Sequence, residues 1–387
     1  MKKRLLFVAE ELCINGAMMS LVALLQALPS EKYEISLFLF KHGGALASRI
    51  PENVKILPEL LPYAVHRMSL KEALRAMLKR GRFGMILYRI LVSLQRYFKL
   101  DYKLWCFLPR VKGCFDIACC YTDGFVSSMI LHKTDAIKKV CWIHYIYSKG
   151  PQPGYVYNAL KKADMCVPVS IEAGKSLDRE LGVNVRQHIV HNITDAAKCI
   201  ERALEPCEKK RMEGVVRIVS VGRVTHAKFF ELIPDTAQKL RLKGVNFEWY
   251  IIGDGDKFHE LTDMVEIGDL SDCVHFIGAR QNPMPWIKSA DVFVNPSRYE
   301  TWGMTVSEAL CLGKAVITSD IPVFAEQITN EVNGLMCPAT PENLAEAIMR
   351  VLTDKQLKYK LEKNATKYPF TKEFVVAEFD ALVEKLL

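Results

Sequence analysis

Two carboxylates eight positions apart, Glu300 and Glu308, lie in the stretch 295–313, NPSRYETWGMTVSEALCLG, among residue types suited to phosphates and sugars. The stretch opens on the turn formers Asn295, Pro296 and Ser297, directly after the apolar run Asp291–Val294, which reads as a short buried strand. From about Gly303 it reads as a helix that stops at Gly313, a C-terminal cap. On that helix Met304, Thr305, Cys311 and Leu312 share the face of Glu308. A carboxylate on so apolar a face is costly unless something hydrogen-bonds it. Glu300 sits in the turn leading in. Between the two carboxylates the helix N-terminus offers the free amides of Gly303, Met304 and Thr305, and such an end favours anions, phosphate above all. The pattern thus sets phosphate donors beside two acceptors for sugar hydroxyls. It reads equally as a structural helix whose Glu pairs a nearby Arg or Lys.

Three other constellations carry chemistry. Gly222, Arg223 and Lys228 follow the apolar run that ends at Val221. An Arg fork and a Lys point charge just past a strand end suit a diphosphate, and the alternative is a solvated basic loop. Gly253-Asp254-Gly255-Asp256 contains an Asp-x-Asp that oxygen-ligated metals can use. Asp and Gly are also ordinary turn residues between a strand and a helix, and the turn reading is preferred. His144 follows the strand-like run Lys139–Ile143 between Trp142 and Tyr145, where packing among aromatics competes with chemistry at a strand end.

The elements that must position these residues alternate. Apolar runs at Arg4–Glu10, Tyr33–Phe40, Val54–Leu57, Asp116–Cys120, Lys139–Ile143 and Met165–Val169 read as strands separated by helical segments. The turn Asn15-Gly16 leads into the helical stretch Ala17–Leu28; without a G-x-G-x-x-G it is a weak dinucleotide signal. The charged, aperiodic stretch EPCEKKRMEG within Thr194–Gly214 reads as a linker. The pattern then restarts with strands at Val215–Val221, Phe247–Ile252, Val274–Ile277, Asp291–Val294 and Ala315–Thr318, and the tail from Pro341 reads as helical throughout. A chain of 387 residues with this alternation predicts two α/β domains, each with a mostly parallel sheet. Ligands in such sheets bind beyond the carboxyl ends of the strands, where the glycine-bearing turns fall. Twelve scattered cysteines without a C-x-x-C predict neither a zinc site nor a disulfide framework, and point to a reducing cytosol. The N-terminus has too short an apolar core for a signal peptide, and no apolar run is long enough to span a bilayer.

The ordered set VGRVTHAK, IIGDGD, FIGARQNPMPWIKSADVFVNPS, YETWGMTVSEALCLGKAVITSD and NGLMCP resembles glycosyltransferase family 4, most strongly over residues 215–345. Asn15-Gly16 and HNITD at His191–Asp195 are weaker marks of it. The resemblance implies a GT-B fold, two Rossmann-like β/α/β domains facing each other across a cleft. It implies an acceptor-side domain over 1–195, a linker over 196–214, a nucleotide-sugar domain over 215–368, and a C-terminal helix over 369–387 that packs back toward the first domain. It implies retaining transfer of a hexose-type sugar from a nucleotide diphosphate-sugar to a glycan or lipid-linked acceptor, with no cofactor and no metal. By the same resemblance Glu308 binds the ribose hydroxyls, and Glu300 contacts the donor sugar. Gly16, Arg223, Lys228 and the amides of Gly303, Met304 and Thr305 hold the diphosphate, and His144 lies near the transferred sugar. Thr301 and Phe229 stand where the family often has glycine, and Asn15 stands in its usual Gly-Gly. The alternatives are a GT-B sugar-nucleotide epimerase or phosphorylase, the latter lacking a placeable pyridoxal lysine, and a non-catalytic membrane-associated binder.

Between His66 and Lys112 there are twelve Lys or Arg and two acids, Glu72 and Asp101. Arg75, Arg82, Arg89, Arg96, Lys103 and Arg110 recur every seven residues, so neighbouring members share a helix face, drifting only about 20° per heptad. With the aromatic, apolar run Met85–Phe98 beside them, residues 66–112 predict contact with an anionic membrane surface and a peripheral place on the cytoplasmic leaflet. The alternative is a solvated face over a packed helix. No nucleic-acid motif is present.

Overall fold

In the computed structural model, which describes residues 2–69, 71–72, 75, 84–98, 106, 108–122, 124–147, 154–181 and 185–387, the apolar runs become two parallel sheets. The chain divides into two compact units, Met1–Ile193 with Glu373–Leu387, and Thr194–Lys372.

The first unit carries strands β1 (Lys3–Ala9), β2 (Tyr33–Leu39), β3 (Lys55–Ile56), β4 (Cys114–Cys120), β5 (Asp135–Ile143) and β6 (Met165–Pro168), in the order β3-β2-β1-β4-β5-β6. Its described helices are α1 (Gly16–Ala27), α2 (Leu61–Arg67), α3 (Gly84–Phe98), α4 (Phe125–Lys133), α5 (Gly154–Lys162) and α6 (Ile171–Leu181). The strands are near-continuous apolar runs because a parallel sheet is covered on both faces; Leu5, Leu6, Phe7, Val8 and Ala9 of β1 are all fully buried. One cover is the last helix of the chain, which returns to this unit after the second is complete. Phe379 stacks 6.2 Å from both Phe7 and Trp142, and Asp380 accepts from Tyr33 Oη at 2.5 Å and from Lys32 Nζ at 2.6 Å.

The basic segment differs from its sequence reading at Arg89. This side chain is 6% exposed, donating from Nε to the Met68 carbonyl and from Nη1 to Ser93 Oγ, both at 2.8 Å. The reason is the carbonyl acceptor left at the end of α2, which a buried guanidinium satisfies. Arg110 donates to the Thr134 carbonyl, and Arg75 is exposed. Arg82, Lys103 and the side chain of Arg96 lie outside the described residues. What α3 exposes instead is an apolar stripe, Leu87, Ile90 and Leu94, at 62%, 40% and 42%. Among the described residues no helix is long and apolar enough to cross a membrane.

The second unit repeats the plan with β7 (Val216–Val221), β8 (Phe247–Ile252), β9 (Val274–Phe276), β10 (Val292–Asn295), β11 (Val316–Ser319) and β12 (Leu335–Cys337), in the order β12-β11-β10-β7-β8-β9. Its helices are α7 (Ala196–Arg202), α8 (Leu232–Leu242), α9 (Phe258–Ile267), α10 (Met284–Ser289), α11 (Met304–Cys311), α12 (Pro341–Thr353) and α13 (Lys355–Ala365). Helix α7 occupies the start of what reads as linker, capped by Asp195, whose Oδ1 accepts from the Lys198 amide at 3.1 Å. The helical tail consists of α12, α13 and α14 (Lys372–Leu386). Thr340 and Asp354 restart α12 and α13 as N-caps.

Candidate functional site

Each sheet reverses its strand order once, between β1 and β4 in the first unit and between β7 and β10 in the second. Loops leaving the carboxyl ends of the two strands at such a point run in opposite directions and leave a crevice. The second-unit residues singled out from sequence fall there: Arg223 and Lys228 after β7, Glu300 after β10, and the start of α11 beyond it.

The loop after β7 is shaped by glycine. A Cβ on Gly222 would meet Lys228 Cε at 3.2 Å and Cδ at 3.3 Å, so the lysine stem lies directly across this glycine. The turn after β8 packs backbone to backbone on the same loop. A Cβ on Gly253 would stand 1.7 Å from the Gly222 carbonyl oxygen, and one on Gly255 would stand 2.2 Å from that of Val224. Asp254 spends its carboxylate within the turn, accepting from the Gly255 amide at 2.7 Å. Among the described residues no group of three or more His, Cys, Asp or Glu is arranged to hold a metal ion.

The loop after β10 is tied to the loop after β7. The Arg298 amide donates to the Ala227 carbonyl at 2.9 Å, and Lys228 Nζ forms an ion pair with Glu300 Oε1. Ser297 Oγ, donating to Asn295 Oδ1 at 2.5 Å, lies 3.3 Å from the same Glu300 oxygen. Arg223, in contrast, is exposed and has no carboxylate partner among the described residues. Of the two residues standing where glycine is usual, only Phe229 has positive φ, +54°. That backbone costs a side chain about 1–2 kcal/mol; the Arg298 guanidinium, 3.3 Å from the Phe229 ring centroid, offsets part of it. Thr301 has ordinary φ, so a side chain there carries no such strain.

Gly303 caps α11 in the left-handed region at φ +86°, and a Cβ there would meet Phe324 at 2.6 Å. Gln327, 2% exposed, fixes this turn by donating from Nε2 to the Trp302 carbonyl while accepting from Ser307 Oγ at 2.8 Å. The amides of Gly303, Met304 and Thr305 therefore open a held helix end. One turn on, Glu308 faces α7. Burial pushes its carboxyl up to about 7, with Arg202 of α7 pulling it partway back. Cys199 and Cys311 flank it, and each thiol is pushed up by burial first and by the Glu308 charge second. Glu308 nevertheless retains intermediate solvent exposure, so the residue is not sealed from water. It makes no side-chain hydrogen bond among the described residues. Among the described residues only Arg202 acts on its charge. Arg202 was hidden from sequence reading inside the charged linker stretch; the only available signal was Asp195 as an N-cap ahead of AAKCIER.

Gly16 and His144 belong to the first unit. Gly16 opens α1 after Asn15, whose Oδ1 accepts from the Met18 amide at 2.9 Å, and a Cβ on Gly16 would meet nothing within 4 Å. His144 ends β5, its ring 5.0 Å from that of Tyr121. Burial drives its pKa down to about 3, so the imidazole is neutral at physiological pH. Tyr121 Oη meets Ser20 Oγ at 2.9 Å, and that hydroxyl donates to Asn192 Oδ1 at 2.5 Å. Gly16 thus opens the helix that follows β1, and His144 directly follows β5, its ring beside that of Tyr121.

Residues 201–368 match the family described as Glycosyl transferases group 1. The O-antigen biosynthesis glycosyltransferase WclY of Escherichia coli is 29% identical over 147 residues, 37% of this chain and 40% of that protein. An N,N'-diacetylbacillosaminyl-diphospho-undecaprenol alpha-1,3-N-acetylgalactosaminyltransferase of Campylobacter jejuni is 36% identical over 96 residues, 24% of this chain and 26% of that protein. The chain thus spans less than half the length of either relative. Among solved structures, Anabaena HepE in complex with UDP and glucose superposes with a TM-score of 0.70 at 16% identity, covering 99% of each chain. That likeness shows the fold, which is GT-B.

Proposed function

We propose, from a chain whose residues 201–368 match glycosyl transferases group 1, that this protein is a retaining glycosyltransferase using a nucleotide diphosphate-sugar. The observation that carries the reading is the convergence at the β7–β10 switch point of Arg223, Lys228, the open N-terminus of α11 and two carboxylates. Transfer leaves a nucleoside diphosphate whose β-phosphate gains charge as the sugar bond breaks. Fixed cations and oriented amides meet that charge without reorganising, so no metal is required. Glu308 accepts from the ribose diol, and Glu300 accepts from hydroxyls of the donor sugar. In the first unit Gly16 is proposed as a backbone donor to phosphate; nothing in the chain itself fills the space a side chain there would take. His144, a neutral ring, is proposed to hydrogen-bond a hydroxyl of the transferred sugar. A hexose-type donor and a glycan or lipid-linked acceptor complete the proposal. Support for the acceptor comes from the C. jejuni relative, whose name specifies a diphospho-undecaprenol-linked one.

The test is a thermal-shift screen of nucleoside diphosphates in excess EDTA. A ligand at one hundred times its dissociation constant adds about 2.7 kcal/mol, and the shift is expected to persist in EDTA. Binding and transfer that vanish with chelation and return with manganese would reinstate Asp254 and Asp256 as metal ligands.

A peripheral position on the cytoplasmic leaflet is proposed on altered grounds. The exposed stripe Leu87, Ile90 and Leu94 supplies apolar contact, while Arg89 faces inward and takes no part. Liposome co-sedimentation should show tighter binding to anionic than to neutral lipid. Leu87→Ser with Leu94→Ser should weaken it about tenfold or more, at 1.5–3 kcal/mol per fully buried leucine. Equal pelleting of wild type and variant would leave a soluble acceptor.

A further inference from the structure

The two side chains given opposite tasks at this site hold each other. Lys228 and Glu300 are paired, at 18% and 12% exposure, whereas Arg223 is exposed and has no ion pair among the described residues. The pairing is built in. Gly222 lets the lysine stem cross toward the loop after β10, and the Arg298–Ala227 hydrogen bond fixes the spacing of the two loops. For Lys228 to reach a β-phosphate it must leave Glu300, and the carboxylate then needs a new partner in a largely desolvated place. A donor supplies that partner through the hydroxyls of its sugar. A nucleoside diphosphate without the sugar does not.

We propose that Glu300 acts as an internal counterion to Lys228 that weakens the site for the product nucleoside diphosphate relative to the donor, and so promotes product release. This rests on the reading of the second unit as a nucleotide-sugar site, and extends it to a residue that separates substrate from product. The donor displaces Lys228 and satisfies Glu300 in one event. Once the sugar has been transferred, Glu300 is left unpaired and recaptures Lys228, which loosens the diphosphate. A residue with only a sugar-binding task would have no effect on ligands that carry no sugar.

The experiment is equilibrium binding of UDP and UMP, with ADP/AMP and GDP/GMP in parallel, to wild type, Glu300→Gln, Lys228→Gln and the double variant. Glu300→Gln is expected to tighten the diphosphate by about three- to tenfold, the scale of a partly exposed ion pair, and to leave the monophosphate unchanged. Lys228→Gln is expected to weaken the diphosphate more on the Glu300→Gln background than on wild type, because in wild type Glu300 already holds part of the lysine's attraction. Unchanged or weaker diphosphate binding by Glu300→Gln, alongside measurable wild-type binding, overturns the counterion role. Additive effects of the two substitutions, which probe the coupling rather than the loops' stability, overturn it too. Wild type that binds no nucleoside diphosphate overturns the nucleotide-sugar reading itself, and the inference with it.

Discussion

Glu308→Gln is expected to make the protein more stable at pH 8 and a much weaker binder of nucleoside diphosphates. Both effects come from one fact: the carboxyl makes no side-chain hydrogen bond among the described residues, and burial raises its pKa to about 7. A folded pKa above the ordinary value near 4.5 means the folded state holds the proton longer than the unfolded one. The associated stability is fully present below about pH 4.5 and is lost as pH rises through 7. Wild type and variant should therefore differ little below about pH 4.5, diverge as pH rises from there through 7, and keep a constant difference above it. Allowing for the solvent that reaches the residue, the gain is on the order of 2 kcal/mol. Loss of a charged acceptor for the ribose diol should cost roughly 1.5–3 kcal/mol in binding, about 10- to 100-fold. Paired denaturation curves at pH 5 and pH 8, with titrations of UDP, ADP and GDP, check both halves. Destabilisation at pH 8 would mean that Glu308 has a protein partner; undiminished nucleotide affinity would remove it from the site.

Arg223→Ala is expected to lower donor turnover by roughly 100-fold or more without lowering the melting temperature. Removing one fixed donor from a developing oxyanion typically costs that much. The side chain is exposed and makes no ion pair among the described residues, so its loss should not unsettle the fold. Lys228→Ala should lower turnover comparably but also cost stability, because it leaves Glu300 partly buried and unpaired. The check is kcat and KM for donor hydrolysis in the absence of acceptor, beside melting curves for each variant. A change confined to KM would mean that Arg223 serves ground-state binding alone.

The alternation of elements was readable because parallel strands covered on both faces are continuous apolar runs, and those runs stand out in a chain of mixed charge. Reading failed where that signal weakens. Strand β12 has only the three residues Leu335–Cys337, too few for a pattern. Helix α7 has only seven residues and sits at the head of a charge-rich stretch, so Arg202 went unseen. Arg89 shows another limit: a seven-residue recurrence puts arginines on one face but cannot say which way that face turns. Its direction follows from the Met68 carbonyl, a contact 21 positions away. At the site, residue types and their places at strand ends were legible. The mutual engagement of Lys228 with Glu300 was not, since it depends on a lysine stem crossing Gly222. The left-handed backbone of Phe229, where a bulky aromatic gives no warning of positive φ, was equally invisible.

The helix α14 has a consequence for how the polypeptide is made. The six described strands of the first unit have emerged by Pro168, yet one ring that stacks on both Phe7 and Trp142 belongs to Phe379. The ribosome must first build Thr194–Lys372, an independent core that can close on its own. At 5–20 residues per second the nascent first sheet therefore waits on the order of ten to forty seconds without that ring. The domain started first is finished last, and during that interval it is the part of the chain most open to chaperones and to neighbouring nascent chains.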